Sequence, residues 1–179
     1  MVESEELSPA SMPTKPIITW SDKIKGTKCN ILEDGNVAEF LNSGGYKYCR
    51  SLEEFTSGSY RFEINIDLGH KDSEVSFGIA HSPNLSCNAS HYYFPDAYIY
   101  CNTNQSFTKD YDNIHKTIPE KVLNNSSIAI NFDFDSKKLF WELNGKKYEE
   151  LDFETKDRPV YVVVGMREGK ATFIWSYFE

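Results

Sequence analysis

The stretch Ser127–Tyr148 constrains the fold of this chain more than any other. Ile128, Ile130, Phe132 and Phe134 fall at every second position, with Ala129, Asn131, Asp133 and Asp135 between them. Side chains of a strand alternate between its faces, so this pattern predicts a strand with one buried and one wet face. Asp135–Lys138 is a short polar break, and Leu139–Leu143 reads as a second strand. Asn144-Gly145 follows, and a type I′ turn, whose two central residues both need positive φ, favours that dipeptide. Lys146–Leu151 then runs back as a third strand, so three antiparallel strands in chain order are expected as the nucleus of an all-β domain.

Short strands with turn signals between them account for most of the remaining sequence. Candidate strands are Cys29–Leu32, Asn36–Leu41, Tyr46–Arg50, Tyr60–Leu68, Glu74–His81 and Tyr98–Asn102, and then, beyond the hairpin, Val160–Met166 and Lys170–Phe178. In Tyr60–Leu68 the apolar set Tyr60, Phe62, Ile64, Ile66 and Leu68 alternates with Arg61, Glu63, Asn65 and Asp67. Glu74–His81 is expected to pair with it across Gly69–Asp72, with Gly78 allowing close backbone approach. Val160–Met166, apolar almost throughout, reads as a central strand. Trp20 is expected to pin the first strand to the core, where Tyr98 and Tyr100 also belong. Ser51–Phe55 suggests one helical turn, and Ile118–Leu123 a short helix with Pro119 in its first turn. Ser82–Pro95 and Thr103–Thr117 read as polar loops. About a dozen short strands without a long helix predict a two-sheet antiparallel β-sandwich or a barrel, with five to seven strands per sheet. Met1–Pro16, acidic and holding three prolines, is expected to be a disordered leader to a domain spanning residues 17–179.

Composition narrows the function. The net charge is −8 with no basic cluster, which argues against a nucleic-acid backbone as partner. No apolar run approaches the roughly 18 residues of a membrane span, and the acidic N-terminus does not read as a signal peptide. Cys29, Cys49, Cys87 and Cys101 are far apart and form no C-x-x-C pair, so neither zinc nor any other metal is expected; free buried thiols in a reducing, cytoplasmic setting are. The N-x-[ST] sequons at Asn84, Asn88, Asn104, Asn124 and Asn125 then read as Asn/Ser-rich loops. His70, His81, His91 and His115 show no ligand spacing, and no glycine-rich phosphate loop or nucleophile–base set emerges. No cofactor and no catalysis are expected.

Four segments in order resemble the SPRY (B30.2-like) family. They are Gly58–Ile66, Glu74–Ala80, Asn131–Gly145 and Arg158–Gly165. The similarity spans Trp20–Phe178; where the family has a Gly after its Tyr-rich strand, Asn102-Thr-Asn-Gln105 stands instead. The resemblance implies a bent, concanavalin-like jelly roll that binds an extended peptide of a partner protein through loops at one end and performs no chemistry. A monomer is expected.

Read from the residues themselves, rigid tyrosines in loops offer broad contact area with a polar tip. The candidate contacts are Tyr46, Tyr48, Tyr92, Tyr93 and Tyr111, with Arg50 as a donor to peptide carbonyls. The segments Gly44–Arg50, Ser82–Pro95 and Thr103–Thr117 are expected to converge at one end. A carbohydrate-binding sandwich is the alternative. A glycoside hydrolase built on Glu63, Asn65 and Asp67 is disfavoured. Two carboxylates must lie about 5–5.5 Å or 6.5–9.5 Å apart, whereas Glu63 and Asp67 are roughly 13 Å apart along a regular strand. A neighbouring cation holding Glu63 is the simpler expectation. Asp133 and Asp135 could serve calcium but suit turn formation better.

Overall fold

The computed structural model describes residues 18–42, 45–70, 73–81, 87–88, 97–101, 120–148, 150–152, 154–155 and 157–174, and the backbone of 106–109, 112–114 and 175–178. The leader Met1–Pro16 lies outside these residues. The strands are β1 (Trp20–Lys25), β2 (Cys29–Leu32), β3 (Val37–Phe40), β4 (Lys47–Ser51), β5 (Ser59–Leu68), β6 (Val75–Ala80), β7 (Ala97–Cys101) and β8 (Ser106–Lys109). They continue with β9 (Asp112–Ile114), β10 (Ser126–Asp133), β11 (Lys138–Leu143), β12 (Lys146–Lys147), β13 (Leu151–Asp152), β14 (Tyr161–Met166) and β15 (Gly169–Phe178).

They form two antiparallel sheets. The seven-stranded sheet runs β1-β4-β14-β6-β7-β8-β9. The eight-stranded sheet runs β12-β11-β10-β5-β15-β3-β2, with β13 also paired to β11. β10 and β11 pair as their alternation predicts, with Ile128 opposite Leu143 and Phe132 opposite Leu139; of the expected third strand Lys146–Leu151, Lys146–Lys147 and Leu151 pair with β11, in the separate strands β12 and β13. β14 is central, between β4 and β6.

Apolar residues from both inner faces make one core. Ile64, Ile66, Ile128, Ile130, Leu139 and Trp141 of the eight-stranded sheet share it with Val75, Ile79, Tyr98, Tyr100, Val162 and Val164 of the seven-stranded one. At one end Phe55, Tyr60, Phe62, Phe132 and Phe134 form an aromatic cluster with centroids 4.7–6.4 Å apart. Trp20 stacks on Phe173 at 4.0 Å and donates its indole N–H to the Ala171 carbonyl at 3.0 Å, so it pins β1 across to β15. A second apolar cluster contains Tyr46, Tyr48, Ala80, Cys87, Ala97, Ile99 and Val163. In β4, β14 and β7 its members alternate with residues of the main core, so it lies on the outer face of the seven-stranded sheet. β6, β7 and β14 are therefore buried on both faces, the condition under which strands read as near-continuous apolar runs.

Four local expectations change. Glu74–His81 does not pair with Tyr60–Leu68, because β6 and β5 belong to different sheets. Both strands have an apolar face for the same core, and the short connection between them crosses from one sheet to the other instead of turning a hairpin. Ser51–Phe55 is not a helical turn: Ser51 ends β4, and Phe55 exchanges backbone hydrogen bonds with Val160 at 2.9 and 2.8 Å. Residues 120–123 are not helical, while Ile118 and Pro119 lie outside the described residues. Thr103–Thr117 is not wholly loop; it contributes the hairpin partners β8 and β9.

The Asn144-Gly145 turn has φ of 50° and 79°, the double positive φ of type I′. Asn144 Oδ1 also accepts the Ser127 N–H at 2.9 Å, locking the turn to β10. A Cβ on Gly145 would meet nothing within 4 Å, so substitution there costs backbone strain without a clash. Gly145→Val is expected to lose about 1–2 kcal/mol, seen as a lower midpoint in urea unfolding. An unchanged midpoint would exclude the positive-φ turn.

Candidate functional site

Of the six nominated contact residues, Tyr92, Tyr93 and Tyr111 lie outside the described residues. Tyr46 and Tyr48 are corrected: they are 4% and 0% exposed, so neither ring offers area to a partner. The cause is a cross-strand glycine. Gly165 pairs with Tyr48, and a Cβ on Gly165 would come within 2.2 Å of the Tyr48 ring, which lies across the bare backbone. Tyr46 stacks on it at 5.9 Å. The Tyr48 N–H donates to the Cys87 carbonyl at 2.9 Å. Cys87 thus packs beside β4 on the outer face of the seven-stranded sheet, against these tyrosines. β8 lies four strand positions from β4 in that sheet, roughly 19 Å away. The β8–β9 hairpin therefore sits at the far edge, away from β4 and Cys87.

Arg50 is half-buried on the same outer face, as its alternation with core Cys49 requires. Its guanidinium carbon lies 3.8 Å from the centroid of the Tyr161 ring, close enough for a cation–π contact. Its Nη1 donates to the Ser51 carbonyl at 2.7 Å, and its buried Nε meets no acceptor among the described residues. Burial pulls the Arg50 pKa down, against the opposing pull of Tyr161, Cys87 and Glu54. Tyr161 donates its hydroxyl to Glu54 at 2.9 Å, and its pKa is raised by burial and then by that bond. Arg50, Tyr161 and Glu54 thus make a small polar patch beside the end of β6, since Tyr161 pairs with Ala80. Tyr161 and Glu54 were not legible as site residues, because Tyr161 sits in an apolar run and Glu54 in a turn.

The outer face of the eight-stranded sheet carries a second arrangement. Register sets Glu63 and Glu142 on either side of Ala129, and Arg61 and Phe140 on either side of Asn131. Arg61 donates to Glu63 at 2.9 Å and to Glu142 at 3.0 Å, and Asn131 donates to Glu142 at 3.2 Å. Ser127 donates its hydroxyl to Glu63 at 2.5 Å. The Ser127 bond and the Arg61 bond hold the Glu63 carboxyl below its usual pKa. The cation expected beside Glu63 is therefore Arg61. A glycosidase acid needs its pKa raised, so this environment works against that role. The neighbouring groove, about 650 Å³, is lined by Ser59, Tyr60, Arg61, Asn131, Phe132, Asp133, Ser136, Lys138, Phe140 and Glu150. The Lys147 ammonium sits 3.7 Å from the centroid of the Phe140 ring. Asp133 behaves as a turn former: its Oδ1 accepts the N–H groups of Asp135 and Ser136 at 2.8 and 2.9 Å. Among the described residues, no group of three or more His, Cys, Asp or Glu side chains could hold a metal ion. Among the described residues, no helix is long and apolar enough to cross a membrane.

No protein-family model and no curated protein matches the sequence. Solved structures do match the fold. The SPRY domain of human HERC1 aligns with a TM-score of 0.72 at 15% identity, over 86% of this chain and 96% of its own. A human SPRY domain aligns at 0.59 and 15% identity, over 82% and 94%, and the TRIM65 PSpry domain at 0.63 and 14% identity, over 88% and 92%. With two antiparallel sheets in one core and these likenesses across most of the chain, this protein has the fold of a SPRY domain.

Proposed function

We propose that this chain is a protein-interaction module that takes an extended peptide segment of a partner protein. The site is the outer face of the seven-stranded sheet at the patch of Arg50, Tyr161 and Glu54, beside Cys87. The observation that carries the reading is Arg50. Its guanidinium carbon lies over the Tyr161 ring, half out of water, with a buried N–H that meets no acceptor among the described residues. A buried donor without a partner is costly, and the carbonyl of an extended peptide is a suitable acceptor for it. Tyr92 and Tyr93 supply the contact area in this reading. The fold likeness to SPRY domains is consistent with an interaction role and with the absence of chemistry.

The test is capture of partners by the purified domain, followed by peptide-array mapping. Replacing Tyr92 and Tyr93 together with alanine is expected to weaken the captured peptide by about 2 kcal/mol or more with the melting temperature nearly unchanged. Retained affinity would move the site elsewhere. With a net charge of −8, a peptide bearing Lys or Arg is favoured, and binding should weaken as salt rises.

Glycan binding is the second reading, and the groove beside Arg61, Asn131 and Phe140 is what favours it, since planar polar groups and an aromatic ring share one wall. A glycan array separates the two: specific glycan capture without any peptide partner would replace the peptide reading.

A further inference from the structure

Cys29, Cys49 and Cys87 are distant in sequence and adjacent in space, and Gly26 is the hub that brings them together. The Gly26 N–H donates to the Tyr48 carbonyl at 2.7 Å, and its carbonyl accepts the Cys29 N–H at 3.2 Å. The Tyr48 N–H in turn donates to the Cys87 carbonyl at 2.9 Å. A Cβ on Gly26 would come within 2.7 Å of that Cys87 oxygen and 2.8 Å of the Lys47 Cβ, so the three segments close over a bare glycine. Cys29 and Cys49 both enter the main core, and Gly26 ties the Cys29 backbone to Tyr48, the residue before Cys49, so the two side chains are neighbours; Cys87 lies beyond, in the outer cluster. None of the three is in a disulfide, and all are buried, at 2%, 0% and 7% exposure. Cys29 belongs to β2, an edge strand of the eight-stranded sheet, whereas Cys49 belongs to β4 of the seven-stranded sheet. Their side chains therefore enter the same core from different sheets.

We propose that Cys29 and Cys49 are a latent redox pair that closes into a disulfide between the two sheets when a low-molecular-weight disulfide, such as oxidised glutathione, is in excess. One cysteine thiolate attacks a sulfur of oxidised glutathione, forming a mixed disulfide and releasing one reduced glutathione. The second cysteine then attacks the protein sulfur of that mixed disulfide and releases the other glutathione. Two protein thiols are oxidised, one glutathione disulfide is reduced to two thiols, and the two cysteine protons end on the released glutathiones. β2 has a single strand neighbour, β3, so opening of this edge is the route by which Cys29 reaches the reagent. Burial raises the Cys49 thiol pKa well above its ordinary value and that of Cys87 to about 11. Closure at neutral pH is therefore slow and should quicken as pH rises, because the thiolate is the nucleophile. A link of this kind restricts the unfolded chain, so the closed form should melt several degrees higher.

The test uses the full chain incubated with oxidised glutathione, alkylated, and mapped as peptides without reduction. The expected result is one linked pair of peptides carrying Cys29 and Cys49, two thiols left to alkylate after unfolding, and a raised melting temperature that dithiothreitol reverses. Cys87→Ala should keep the link and Cys49→Ala should lose it. A glutathione adduct without a link, four alkylatable thiols after saturating oxidant, or a link to Cys87 or Cys101 would each overturn the pairing. The wild-type peptide map decides the matter even if Cys49→Ala does not fold.

Discussion

Gly78→Ala is expected to cost about 3 kcal/mol or more, at or above the upper end of ordinary overpacking. An added Cβ would lie 1.9 Å from the Tyr98 carbonyl oxygen, 2.9 Å from its carbonyl carbon and 3.0 Å from the Ile99 Cα. All three are backbone atoms, so no side chain can rotate away. Relief requires β7 to move off β6, and that ladder runs from Ser76–Cys101 to Ala80–Ala97. Both strands are buried throughout, so the shift also opens the core on one side and the Ala97–Ile99 cluster on the other. Urea unfolding measures the loss, and amide exchange of β7 should rise with it. A variant as stable as the parent, with β7 amides still protected, would show that the two strands do not approach as closely as described.

Phe132→Ala is expected to cost about 3–5 kcal/mol, as deletion of a fully buried ring does. The side chain is 1% exposed and lies 5.9 Å from Phe55, 5.4 Å from Tyr60, 5.8 Å from Phe62 and 5.9 Å from Phe134 between ring centroids. These neighbours come from three strands or turns held by separate hydrogen bonds, so they cannot all collapse into the cavity. Phe140→Ala on the paired strand is the control. Phe140 faces outward beneath Lys147, and its loss should cost about 1 kcal/mol or less. Equal losses at the two positions, measured by chemical denaturation, would mean that the hairpin register is off by one residue, because a slip of one exchanges the two faces.

That hairpin was readable because everything it needs is local. Alternation assigns the faces of β10 and β11, and Asn144-Gly145 sets their register within two residues of the contact. The same holds for the double burial of β14 and for Trp20, whose size leaves few sites other than a core. The expected donor role of Arg50 rested on a weaker signal, namely a cation beside tyrosines. Its aromatic support is Tyr161, more than a hundred residues away in sequence, and neither Tyr46 nor Tyr48 is that support.

Sheet membership was not local. β5 and β6 follow one another with complementary apolar faces, and alternation cannot distinguish two strands side by side from two strands facing across a core. The burial of Tyr48 depends on Gly165 lying opposite it, and register between β4 and β14 is set by the whole seven-stranded sheet. Arg61 could be seen to point outward, but its two carboxylates come from β5 and β11, which only β10 brings within reach of one guanidinium. The thiols of Cys29, Cys49 and Cys87 looked isolated by spacing and are neighbours by folding. Periodicity records which side of its own strand a residue occupies; which strand lies beside it depends on how two twisted sheets bury the most apolar surface together, and that is a property of all the strands at once.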